Sequence, residues 1–335
     1  MIRARPGLTH LAAAALLLAS FWVLWAELRP PPTGAAPPRH AIRIASQALP
    51  GAGTRIGPFR LVGAAALTSP DPAFGGLSGL AALPDGRLLA ITDAGDWVVL
   101  TPGRVGAAPV GALGSIAMPG RDKADRDAEA VVLTPDGRTR VSLEQQHRIL
   151  SFAGHGPPVT PVGAPLFRTD AMAWPPNGGG ESLAALPDGS LVWISENARS
   201  ADGALTALLI TAGGTRSIGI AALDGFSPTD AVAVDAAHLL LLHRRYNGVE
   251  SAAALSLVDL SPVLAGGSGA PARLLARWGK GDGWPIDNME GLALVRRPGT
   301  APLLYLVSDN NFSPAQRTLL LRLEVTSPLV PAASR

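Results

Sequence analysis

Apolar runs of five or six residues recur along this chain, each opened by a polar residue, ended by a tight turn and answered by a second apolar run. The clearest copies begin at Ser78, Glu129 and Glu181 and turn at Asp85-Gly86, Asp136-Gly137 and Asp188-Gly189. In each, a second polar residue lies 15 positions on, at Asp93, Glu144 and Glu196, so the two polar residues stand as mirror images about the turn. A β-hairpin produces this symmetry, because residues equidistant from a two-residue Asp-Gly turn face each other on the paired strands. The pattern therefore predicts hairpins whose open ends carry paired polar side chains.

Two further copies complete the series. Asp230 with Arg244 turns through Asp235 to His238, and Glu290 with Asp309 has a longer connection from Arg296 to Ala301. The repeat starts are then separated by 51, 52, 49 and 60 residues, a period that belongs to a propeller or a solenoid. The units are too short for helix pairs, and strands apolar throughout fit sheets buried on both faces, as blades are around an axis. A third strand follows each hairpin, over Trp97 to Leu100, His147 to Phe152, Leu205 to Thr211, Ala253 to Leu260 and Thr318 to Val325. The last copy lacks an outer strand; Phe59 to Leu67 is expected to supply it and close the ring, removing an exposed edge. The fold class is all-β, a β-propeller in which five hairpins favour five blades, while Ala41 to Ser69 leaves room for part of a sixth.

Composition fits an all-β ring: 16% of residues are charged, and 38 Gly with 31 Pro supply the turns. The pI of 9.5 does not signal a basic field. Setting aside Arg3, Arg5, Arg29 and Glu27 from 28 basic and 26 acidic residues leaves 25 of each, so nucleic acid is not an expected partner.

The amino terminus reads as an address. Arg3 and Arg5 precede an uncharged stretch from Leu11 to Ala26, the order of an export signal, with Trp22 and Trp25 suited to a membrane interface. Residues 1–29 are an export signal or membrane anchor, with Thr33-Gly34-Ala35 the best cleavage candidate; if uncut, residues 11–28 would associate with the inner membrane. A Pro-rich spacer over 30–40 leads to a single propeller domain over 41–330, delivered to the periplasm or beyond. The chain has no Cys, which excludes a lipoprotein anchor and disulfides. A monomer is expected.

The open ends carry the chemistry. Their members are Ser78 and Asp93, Glu129 and Glu144, Glu181 and Glu196, Asp230 and Arg244, Glu290 and Asp309, eight of them carboxylates. Gathered at one mouth, unpaired carboxylates repel and call for a cation. Hard divalent ions, Ca²⁺ above all, prefer such oxygen-rich clusters, so the metal ligands expected are Asp93, Glu129, Glu144, Glu181, Glu196, Asp230, Glu290 and Asp309. Arginines in the same loops, Arg121, Arg126, Arg148, Arg199, Arg244, Arg245 and Arg317, suit a phosphate or another anion. Ser78, Arg148, Arg244, Arg317, Asn310 and Asn311 are the candidates for binding it. Glu129, Glu181, His147 and His243 are the candidates for moving protons. The alternative stays open that the acids cap backbone amides or pair with neighbouring arginines in a purely structural role. No nucleophile elbow, phosphate loop or zinc spacing is present.

Several stretches resemble a known family: Gly75 to Leu80, Arg126 to Ala130, Gly180 to Leu183, Asn288 to Leu292 and Ser308 to Phe312. They look like the phytase-like domain family, described as having esterase-like activity of phytase, over roughly residues 58 to 325. The resemblance implies an exported bacterial propeller distantly similar to the Ca²⁺-dependent β-propeller phytases. Two functions follow as expectations. One is a metal-dependent phosphoester or ester hydrolase acting on a small anionic or ester ligand. The other is a ligand- or partner-binding propeller with a structural Ca²⁺. A lactonase like the regucalcin propellers fits less well, because it would need fewer, unequal acids.

Overall fold

Strands apolar on both faces must be covered on both, and here they are covered by one another. The computed structural model describes residues 39–102, 110–118, 122–166, 173–247 and 250–330; the expected signal or anchor over 11–28 lies outside the described residues. Five sheets radiate from an axis. Their innermost strands are Leu77–Ala82, Ala128–Thr134, Gly180–Ala185, Ser227–Ala233 and Asn288–Val295, which define blades 1 to 5. Each inner strand packs against the next, and Asn288–Val295 packs back on Leu77–Ala82, so the ring closes. The only helices among the described residues are single turns at Lys123–Arg126 and Ser261–Leu264.

Buried apolar clusters lie between successive blades. Leu89 and Ile91 of blade 1 meet Val131 and Val141 of blade 2; Leu240 and Leu242 of blade 4 meet Leu292 and Leu304 of blade 5. Alternation along a strand sends neighbours to opposite faces, so Leu239 and Leu241 pack instead on Ala184 and Val192 of blade 3. This sandwiching is why the strands read as continuous apolar runs.

The closing strand is where the sequence put it. Phe59–Thr68 pairs antiparallel with Thr318–Val325, joining both ends of the chain in blade 5. The sixth blade is not formed. Its candidate residues are divided instead: His40–Arg43 edges blade 1 beside Val110–Ser115, and Ala45–Ala48 edges blade 5 beside Phe59–Thr68. The expected third strands are present as Asp96–Thr101, Arg148–Ala153, Leu205–Thr211, Ser251–Asp259 and Thr318–Val325.

Asp230 occupies a different place from the one its spacing implied. It does not reach the mouth; its carboxylate is buried at the centre of the ring. There Oδ2 accepts the amides of Leu292 in blade 5, at 2.7 Å, and Leu80 in blade 1, at 3.4 Å, while Oδ1 takes that of Ala231 at 2.8 Å. Gly79 helps to make room: a Cβ there would fall 2.8 Å from the Glu129 carbonyl oxygen. Burial raises the Asp230 pKa well above its usual value, against the pull of the amides. Asp230→Asn would turn an NH₂ toward one of these N–H groups, and a loss of about 1–3 kcal/mol is expected in urea denaturation. Unchanged stability would mean that the carboxylate does not hold the ring.

Candidate functional site

The mouth is built by one irregularity repeated in every blade. Near its start, each inner strand carries a β-bulge, an extra residue unmatched on the second strand. In blade 3 Gly180 pairs with Ser195 and Ser182 with Ile194, leaving Glu181 extra; in blade 5 Met289 pairs with Ser308 and Gly291 with Val307, leaving Glu290. The bulged residues are Ser78, Glu129, Glu181, Thr229 and Glu290. The expected partners therefore share one end of each hairpin without standing opposite, and in blade 4 the equivalent residue is Thr229, not Asp230. Two of the five bulges are hydroxylic and tie adjacent blades. Ser78 Oγ donates to the Ala128 carbonyl at 2.5 Å, and Thr229 Oγ1 to that of Met289 at 3.1 Å. Ser78 is 5% exposed, so this candidate for binding an anion instead clasps blades 1 and 2.

The remaining bulges and the ends of the second strands bring carboxylates together. Asp127, Glu129 and Glu144 each offer an oxygen within 4.8 Å of the others. Among the described residues, none of the three has a cationic side chain at ion-pair distance. Glu144 Oε1 accepts the amides of Gly178 and Gly179, and Asp127 Oδ2 accepts Gln145 Nε2 at 2.7 Å, which orients both groups. Burial, then the neighbouring charges of Asp127 and Glu181, push Glu129 well above the usual carboxylate range. Burial and Asp127 raise Glu144 to about 7. Asp93, raised by burial and by Asp309, keeps an Oδ1 with no hydrogen-bond partner among the described residues. A largely buried all-oxygen set, with Glu129 half-buried and too little positive charge nearby, fits a hard divalent cation.

The opposite side of the mouth has its own cation. Arg244 lies 2.9 Å from Glu196 and 3.3 Å from Glu290, and donates to Asn288 Oδ1 at 3.1 Å. Glu290 and the other acids raise its pKa further. Burial lifts Glu290 to about 7 despite Arg244, and lifts Glu181 well above its usual range, with Glu196 adding to it. Arg244 is thus already engaged by two carboxylates, while part of its side chain stays exposed. With its side chain 32% exposed, Arg244→Met is expected to cost about 1–3 kcal/mol, below the cost of orphaning a fully buried pair. Thermal melts at pH 8 check this, and an unaltered melting temperature would show the acids need no internal counter-charge.

Other expected residues lie at or near this end in different roles. Asp309, raised to about 7 by burial, accepts the Asn311 amide at 2.6 Å. Asn310 Oδ1 accepts the Gly76 amide at 3.0 Å, fastening blade 5 to blade 1, while Asn311 turns to Gln316. Arg317 is bound by Asp287 and the Ile286 carbonyl. Arg148 is half-buried, and its Nε has no hydrogen-bond partner; Arg121 lies outside the described residues. Neither histidine reaches a rim carboxylate. His147 is buried with Nε2 3.1 Å from the Trp174 carbonyl oxygen. His243 faces blade 3, bonded to Ser256 Oγ at 2.7 Å, and burial lowers its pKa to about 3, with Arg199 adding to the effect. A neutral, enclosed imidazole is a poor proton carrier. Asp127 is the acid the repeat missed, because it lies two residues before the bulge; its pairing with the Glu144 position was the available signal.

The profile of the phytase-like family, described as "Esterase-like activity of phytase", matches residues 72–312. No curated protein matches the chain. Among solved structures, the PQQ-bound aldose sugar dehydrogenase of Streptomyces coelicolor is 14% identical, covering 87% of this chain and 100% of its own, with a TM-score of 0.42. A gluconolactonase of Xanthomonas campestris is 14% identical, with coverages of 89% and 99% and a TM-score of 0.41. Virginiamycin B lyase of Staphylococcus aureus is 12% identical, with coverages of 77% and 70% and a TM-score of 0.37.

Proposed function

Because the chain belongs to the phytase-like family, we propose that it is an exported, Ca²⁺-dependent hydrolase of phosphate or carboxylic esters acting at the acidic mouth. The observation that carries this reading is the convergence of Asp127, Glu129 and Glu144 within 4.8 Å, without an ion-pair partner among the described residues. These three would hold the cation. Bound there, Ca²⁺ supplies positive charge and Lewis acidity to a phosphoryl or acyl oxygen.

The remaining roles fall to the far side of the mouth. Burial and Glu196 disfavour the charge of Glu181 and raise its pKa, which suits it to hand a proton to the leaving oxygen. Arg244 holds Glu196 and Glu290 in place, and its exposed edge would meet an anionic substrate oxygen. Glu290, near 7, would exchange a proton with solvent between turnovers. Burial disfavours the charged forms of Asp93 and Asp309 between blades 1 and 5, and a cation bound nearby would favour them.

Glu144's grip on Gly178 and Gly179 supports a second reading, in which the cation ties blade 2 to blade 3 and the mouth binds a ligand without turnover. Assays on p-nitrophenyl phosphate, a phosphodiester, phytate and a carboxylic ester, with Ca²⁺ or with chelator, separate the two. Turnover lost in chelator and lost again in Glu181→Gln supports the hydrolase. No turnover on any substrate, with Ca²⁺ still raising the melting temperature, leaves the binding module.

A further inference from the structure

On the face of blade 4 toward blade 3, where Arg245 follows Arg244 of the mouth along one strand, two arginines meet one aromatic ring. Arg245 Cζ lies 5.0 Å and Arg277 Cζ 5.7 Å from the centroid of Phe226. The register explains why they share a face. Arg245 stands opposite Ala252, and Arg277 opposite Ala254, with two positions along one strand separating the alanines. Ala252 and Ala254 are buried under Phe226, with Leu223 packed beside them, so the arginines flank a floor of small side chains. His243, two residues before Arg245, lies on this face and feels the charge of Arg199 from blade 3.

This positive charge has no ion-pair partner among the described residues: neither Arg245 nor Arg277 has a carboxylate within ion-pair distance. Arg245 Nε is buried and has no hydrogen-bond partner among the described residues. The contrast with the adjacent Arg244, held by two carboxylates, is sharp. Two like charges held over one ring repel, and the attraction of the ring face for each offsets part of that repulsion. Guanidinium groups fixed by stacking present their N–H forks already oriented, which suits an oxyanion accepting from both.

We propose that Arg245 and Arg277, mounted on Phe226, form an oxyanion subsite that takes a second phosphate or carboxylate of a substrate whose reacting group lies in the mouth. The assignment of the reacting group rests on the hydrolase reading; the anion site does not. The subsite would favour extended polyanionic substrates over singly charged ones, since only the former reach both places.

The test is made first without turnover. In chelator the mouth is strongly acidic and repels anions, so binding of pyrophosphate by calorimetry reports on the arginines. Arg245→Gln with Arg277→Gln is expected to weaken pyrophosphate binding about tenfold or more with the melting temperature unchanged, and each single variant carries the test if the pair does not fold. Citrate in place of pyrophosphate tells whether carboxylates are taken as well as phosphates. If wild-type protein binds neither anion at millimolar concentration, or the variants bind them equally well, the subsite does not exist. In Ca²⁺, Arg277→Gln should raise KM for phytate while leaving kcat/KM for p-nitrophenyl phosphate unchanged; an equal loss on both would refute a role in substrate choice. Absence of turnover in every form would sink the hydrolase reading and leave the binding result standing.

Discussion

In chelator, the protein is expected to lose about 2–3 kcal/mol of stability as the pH rises from about 6 to 8, and Ca²⁺ is expected to restore it. Burial places Glu144, Glu290 and Asp309 near 7 in the fold, whereas their usual values are 4.5, 4.5 and 3.8. In this window the folded chain binds more protons than the unfolded one, so stability falls with rising pH. Each unit of such a shift is worth about 1.4 kcal/mol, and the sum is taken well below its face value because the groups titrate together. His243 works in the opposite sense: its folded value is about 3 against 6.5, so its contribution grows with pH, is complete about one unit above 6.5 and offsets a small part of the loss. The surface acids Asp136 and Asp235, whose values are lowered, have finished titrating below about pH 5. Urea denaturation at both pH values, with chelator and with Ca²⁺, reads the effect. Stability that is flat or rising over this range in chelator would mean that the mouth carries its charge without strain.

That strain was visible in the sequence only as a count of acids. The hairpin ends were legible because Asp-Gly turns fix where each strand doubles back, and counting outward from a turn finds the residues that share an end. The count assumes an unbroken ladder. A bulge adds one residue to the inner strand, so Glu129, Glu181 and Glu290 arrive at the mouth one step out of register with Glu144, Glu196 and Asp309. In blade 4, where the turn is shorter, the same error selected Asp230 over Thr229 and moved an axial carboxylate into the proposed ring of ligands. Asp127 escaped notice because it precedes the repeat start, although it approaches both Glu129 and Glu144. His243 illustrates what spacing omits: adjacent to Arg244 in sequence, it takes the opposite face of the strand and is buried against blade 3. The closing strand was legible for a simpler reason, since Phe59 to Leu67 was an apolar run without a hairpin and blade 5 lacked its edge.

Glu129→Gln is expected to separate activity from stability in opposite directions. The amide keeps the size of the side chain and one oxygen, but removes the charge that burial, Asp127 and Glu181 oppose most strongly. Without cation, the variant should therefore be more stable than wild type by about 1 kcal/mol at pH 8, because one of the repelling charges is gone. With Ca²⁺, the three-oxygen set loses one anionic ligand and grips the ion less tightly, so the Ca²⁺-induced rise in melting temperature should shrink. Turnover should fall about a hundredfold or more, the equivalent of losing several kcal/mol of charge stabilisation. Glu181→Gln sits across the mouth and discriminates between roles: it should lose kcat while keeping the Ca²⁺-induced stabilisation. Calorimetry with Ca²⁺, melts in chelator and initial rates on the best substrate make the comparison. If Glu129→Gln keeps wild-type Ca²⁺ affinity and turnover, the cation does not sit among Asp127, Glu129 and Glu144; if it also melts lower in chelator, the carboxylate serves the fold alone.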